Sequence, residues 1–124
     1  MTDSPLVDPG ALARLDKLGG SGFALRIIGI FLAEGPRRIA DAKDALARRN
    51  GADLAHAVHA LISSSGNVGA TGLVELVREM ERDAEAGSWT VLPGKVARLE
   101  TSFGLVAAAL EQHRGAGGDG AASS

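Results

Sequence analysis

The sequence predicts an all-α protein: an antiparallel four-helix bundle with an additional short N-terminal helix. Apolar residues recur at intervals of three and four along most of the chain, and no segment alternates with the period of two that a half-buried strand needs. Glycine, proline and asparagine interrupt these stretches at short intervals, so consecutive helices are joined by short connections and pack antiparallel. The length, 124 residues, suits one domain with a single core and leaves no room for a cofactor domain beside a substrate domain.

The elements follow in order. Residues 1–7 read as a flexible leader and 8–114 as the helical bundle. The first helix opens at Asp8 with Pro9 just inside it, an acidic cap before a first-turn proline. It carries Leu12, Leu15 and Leu18 and stops at Gly19-Gly20. The second runs from about residue 21 to 49. Its stripe is Phe23, Ile27, Ile30 and Phe31, continued by Ile39, Ala42 and Leu46. Gly35-Pro36 in its middle predicts a kink or short break, and Asn50-Gly51 ends it. The third helix spans about 52–65 with Leu54, Val58, Leu61 and Ser65 on one face. The fourth spans about 70–86, where Leu73, Leu76, Val77 and Met80 form an unbroken i, i+3, i+4, i+7 set closed by Gly87-Ser88. The fifth starts near Pro93 and carries Val96, Leu99, Phe103, Val106 and Leu110. Residues 115–124, GAGGDGAASS, cannot bury apolar surface and read as a disordered tail.

Composition narrows the function classes. A formal net charge of −2 argues against a broad electrostatic grip on nucleic acid. Tyrosine is absent and aromatics make up 3%, so the core is aliphatic and base stacking is not expected. Without cysteine there is no disulfide, thiolate nucleophile or Cys-ligated metal. The opening MTDSPLVDPG has neither the basic nor the apolar region of a signal peptide, and the apolar stretches fall short of the ~20 residues of a spanning helix. The expectation is a cytoplasmic, monomeric chain that engages neither membrane nor nucleic acid.

The stretch LAHAVHALISSSGNVGA, residues 54–70, is the most informative. A helix turns about 100° per residue, so Leu54, Leu61 and Ser65 fall within roughly 60° of Val58 and form the buried stripe. His59 lies about 100° from Val58, at the shoulder of the core. Ser63 and Gly66 share its flank and Ala55 lies just inside it. The imidazole base then sits in the bundle and its tip in solvent, with small neighbours that leave the ring accessible. An unperturbed histidine is mostly neutral at pH 7, as a nucleophile must be. His56 and His113 read as surface residues. His56 and His59 stand i, i+3, but no nearby acid completes a metal site, and none is expected.

This arrangement resembles the histidine-containing phosphotransfer (HPt) domain family, whose motif runs A-H-x-L-K-G-S, about four residues, then G-A. LVDPGALARLDKLGG and FALRIIGIFLAEGPRRIADAKDAL look like the family's first two helices, and ADLAHAVHALISSSGNVGATGLVELVREMERDAEAG is similar to its active-site hairpin. The resemblance implies that His59 is the phosphoacceptor. It matches Leu61 to the following core leucine, Ser64 and Ser65 to the small residues, and Gly69-Ala70 to the turn into the next helix. Ala55, Ile62, Ser63 and Gly66 then form the phosphoryl or partner-docking environment. It implies receiver domains of response regulators or hybrid kinases as partners, with the metal ion on the receiver and no cofactor on this chain. Two positions depart: the family's Lys and Gly, three and four residues after the histidine, are Ile62 and Ser63. Arg78, Arg37, Arg38 or Lys43 could supply the missing charge.

The leading function is therefore a phosphorelay intermediate that takes a phosphoryl group on His59 from one receiver aspartate and passes it to another receiver. The alternative is a degenerate module that docks a receiver or kinase without phosphotransfer. A self-sufficient enzyme is not expected. The Ser63-Ser64-Ser65 run reads as small packing residues, and Gly66-Asn67-Val68-Gly69 lacks the lysine and length of a P-loop.

Overall fold

The structure, a computed structural model, describes residues 6–123, with side-chain surroundings described through Gly115. Most of the expected leader and the last residue, Ser124, lie outside the described residues. Five helices follow one another: α1 (Pro9–Gly19), α2 (Phe23–Arg48), α3 (Gly51–Asn67), α4 (Thr71–Ala86) and α5 (Leu92–Ser123). Helices α2 to α5 form a ring in which each packs on the next and α5 closes back onto α2. Helix α1 packs on α2 and α3 after a bend of 117° between α1 and α2. This is the predicted all-α bundle with a short extra N-terminal helix. Among the described residues no single helix is long and apolar enough to cross a membrane.

The caps show why the elements begin where they do. The Asp8 side chain accepts from the Gly10 backbone N–H at 3.0 Å, and Pro9 fills the first turn as expected. Helix α2 has no local side-chain cap; instead Asp16 of α1 accepts from Ala24 N–H at 2.9 Å, satisfying one of its free N-terminal donors. Arg49 in the left-handed region, φ 52°, ends α2. Asn50, expected to terminate that helix, instead caps the next one by accepting from Asp53 N–H at 2.9 Å.

The core is aliphatic, with Leu54, Val58, Val77, Met80, Leu99 and Leu110 fully enclosed. In α5, Val96, Leu99, Phe103, Val106 and Leu110 are all buried, as is the Leu73, Leu76, Val77, Met80 set of α4. Two helices depart from expectation. Leu18 is 82% exposed, so α1 buries only its first half, through Ala11 and Leu12. In α2 the inward stripe is Ala24, Ile28, Phe31, Gly35, Ile39, Ala42 and Ala45, which leaves Ile30 exposed and Phe23 and Ile27 at the margin. So apolar a segment supports more than one helical stripe, and the neighbours choose among them.

Nor does α2 break at Gly35-Pro36. It continues unbroken because Gly35 accommodates α5: a Cβ there would lie 2.1 Å from Cε1 of Phe103. The Phe103 ring also packs against Phe31, centroids 4.9 Å apart. Pro36 removes one helical hydrogen bond, to the Leu32 carbonyl, without interrupting the helix. Helix α5 continues to Ser123, past Arg114, where the sequence reading ends the bundle; no proline stands beyond Pro93 to stop it. Lys95 ties α5 to α4 by pairing with Asp83 and Glu79. The hydrogen bond to Asp83, with the further one to Glu79, raises the Lys95 pKa above its ordinary value.

Candidate functional site

The site lies on the hairpin of α3 and α4, and its turn is built around Gly69. That residue has φ 76°, and a Cβ there would fall 2.8 Å from Ala11 Cβ and 2.9 Å from both N and O of Asp8. Only glycine tolerates both the left-handed backbone and the close approach of α1. The Asp8 backbone N–H donates to Gly69 O at 2.9 Å, so α1 holds the hairpin tip in place. Ala70 is fully buried, and its N–H donates to Ser65 O at 2.9 Å. The expected Gly-Ala turn is therefore a joint between three helices.

The hairpin register follows from this turn. Helix α4 runs back along α3, bringing Val74 opposite Gly66 and Glu81 opposite His59. Leu54, Val58, Leu61 and Ser65 of α3 face the core and are buried, while the His59 side chain keeps 67% of its surface exposed. Its Nδ1 lies 2.7 Å from Oε2 of Glu81, a side chain that is itself largely covered. A carboxylate only accepts, so Nδ1–H donates to Glu81 and the lone pair is left on Nε2, which points away from this bond. The ring is held in one orientation and one tautomer, with one nitrogen free.

The other predicted positions divide by depth. Ser63 and Gly66 are exposed beside His59 and leave open the space around the ring. Ala55 is buried at the base of that flank, and Ile62 is half-buried, packed against the core on one side. Ser64 is half-buried and its Oγ donates to Leu61 O at 3.3 Å. Ser65 is buried, and its hydroxyl finds no hydrogen-bond partner among the described residues, so small size rather than polarity suits it to that place. His56 is exposed and lines a separate groove with Arg38, Asp41, Asp44, Arg48 and Asp53. Among the described residues no group of three or more His, Cys, Asp or Glu side chains could hold a metal ion.

Glu81 is the functional residue that sequence reasoning missed. It is 22 residues from His59 and sits on a helix rich in charge, where nothing local distinguishes it. The usable signal was the turn: folding α3 onto α4 about Ala70 pairs 59 with 81.

The fold matches a crystal structure of histidine-containing phosphotransfer protein B from Pseudomonas aeruginosa PAO1, with a TM-score of 0.84. The match covers 90% of this chain and 96% of that one at 24% sequence identity, and at that identity it is a likeness of fold. No curated protein matches the chain. The Hpt domain family model matches residues 26–116, a span that starts inside α2 and leaves α1 outside it.

Proposed function

The chain belongs to the Hpt domain family, and from that premise we propose that it is a phosphorelay intermediate with His59 as phosphoacceptor. One observation carries the reading: a largely exposed imidazole on a helix flank, bound through Nδ1 to Glu81, with Nε2 left outside that bond. Hpt domains generally interact with receiver domains. The partners here are then a receiver that donates from a phosphorylated aspartate and a second that accepts.

The transfer step needs little from the carrier beyond position and charge. The Nε2 lone pair forms a new N–P bond, the P–O bond to the receiver aspartate breaks, and its electron pair stays on the departing carboxylate. The ring keeps its hydrogen on Nδ1 and becomes positively charged. Glu81, in contact with that nitrogen, stabilises the charge as it develops. Passing the group on reverses the step, and no proton changes place in either direction. The receiver contributes the metal ion of its own site; the carrier works without a cofactor, as a monomer. Exposed Ser63 and Gly66 let the ring enter the partner's site.

The alternative, a docking module that never takes phosphate, draws on an apolar Ile62 presented beside the histidine. Ile62 is half-buried against the core, so the apolar surface it offers beside the histidine is small.

The test is phosphoryl transfer from a panel of receiver domains charged with acetyl phosphate, comparing wild type with His59→Gln. Acid-labile label on the wild type and none on the variant is the expected result. Receiver binding without label on either protein would overturn the relay reading in favour of docking.

A further inference from the structure

A phosphoryl group on His59 would bring up to about two negative charges to the surface of α3. The same ring already has the Glu81 carboxylate on its other nitrogen. Helix α3 offers nothing to balance this: from Gly51 to Asn67 it contains no lysine or arginine. A compensating cation must come from a neighbouring helix.

The four cations suggested by the sequence can be separated by position. Arg37 pairs with Glu34 of its own helix at 3.8 Å. Lys43 pairs with Glu100 of α5 at 3.1 Å, in the seam between α2 and α5. Arg38 lines the acidic groove that holds Asp41, Asp44, Asp53 and His56, and also a groove between α2 and α3 with Ile30, Ala60 and Ser64. Ala60 and Ser64 lie roughly 100–140° around α3 from His59, so that groove is on its far flank. Arg78 differs on each count. It stands three residues before Glu81 on α4, and such residues are neighbours on one helix flank. The register marked by His59–Glu81 and Gly66–Val74 brings it level with Ile62 and Ser63, one turn from His59. Arg78 is exposed and makes no ion pair among the described residues, and the residue level with it on the outer flank of α3, Ser63, is small and exposed. Arg82, which also makes no ion pair among the described residues, is turned about 100° from Glu81, away from the seam with α3.

The structure assigns Arg78 as the cation that neutralises a phosphoryl group carried on His59, an assignment that rests on the phosphorelay reading. Its guanidinium presents paired N–H donors to phosphoryl oxygens. The position three residues after the histidine is thereby free to be Ile62 and to help close the core.

Phosphoramidate, a small phosphoryl donor, tests this without any receiver. Labelling rate and phosphohistidine lifetime would be measured for wild type, Arg78→Ala, Arg78→Lys, Ile62→Lys/Arg78→Ala and His59→Gln, with thermal melts to verify folding. Arg78→Ala should label about five-fold more slowly, the size of one exposed ion pair. Arg78→Lys should recover most of that loss. So should the double variant, because a lysine at 62 can keep its stem against the core and its ammonium in solvent. Labelling of folded Arg78→Ala at the wild-type rate would overturn the assignment and leave the relay reading standing. Wild type that takes label from neither phosphoramidate nor any receiver would overturn the relay reading, and the assignment with it.

Discussion

Two seams of the bundle are built on opposite principles. Between α2 and α5, Phe103 lies against Gly35 and tilts onto Phe31, and this inner contact is apolar and buried, with the Lys43–Glu100 ion pair at its outer edge. Between α3 and α4, Glu81 meets His59 at the surface, flanked outside by exposed Ser63 and Gly66. The first seam brings a large residue against a glycine and excludes water. The second surrounds a polar residue with small ones and leaves its ring exposed. Stability is concentrated in one and chemistry in the other, so substitutions should separate the two.

The largest effect is expected at the closed seam. Gly35→Val puts a side chain where Phe103 already sits, and should lower unfolding free energy by about 3 kcal/mol. Urea denaturation would measure this, and combining it with Phe103→Leu should recover part of the loss. If Gly35→Val melts like wild type, the seam is looser than described and the comparison fails. Glu81→Gln should do the reverse at the open seam. The amide still accepts from Nδ1 and keeps the ring oriented but no longer balances the charge developing on it. Labelling should slow roughly ten-fold while the melting curve stays put. A slower rate accompanied by partial unfolding would show that Glu81 is part of the bundle's support.

Ser65 sharpens the comparison from inside α3. Its buried hydroxyl is unpaired among the described residues, so Ser65→Ala should stabilise the bundle by up to about 1 kcal/mol without changing labelling. The smallest effect is expected at Lys95, which links α4 to α5 away from His59. Its raised pKa means that the ion pairs with Asp83 and Glu79 favour the folded state fully below about pH 10.5, the ordinary lysine value. That contribution is lost as pH rises through the higher folded value. Alkaline melts of wild type should show a small fall that Lys95→Met lacks.

The parts legible in the sequence are those where one stripe or one cap had no rival. Asp8-Pro9, the α4 set from Leu73 to Met80, and the α5 set from Val96 to Leu110 are each unambiguous, and each is found as expected. The shoulder position of His59 followed from the α3 stripe by angle alone. What escaped were choices between similar options. FALRIIGIFLA supports several apolar faces, so Ile28 rather than Ile30 turns inward only because α3 and α5 lie on that side. Gly35-Pro36 reads as a break from local propensity, yet the glycine serves a ring 68 residues further along.

By itself, then, the sequence determined the helices, their order and the exposure of His59. All of these arise from short-range periodicity and backbone preference, which each segment carries alone. The tertiary structure decided that Glu81 meets Nδ1 of His59, that Phe103 occupies the space at Gly35, and that Val74 comes opposite Gly66. These are matters of register between helices. Register depends on the whole core closing at once, and no single segment encodes it.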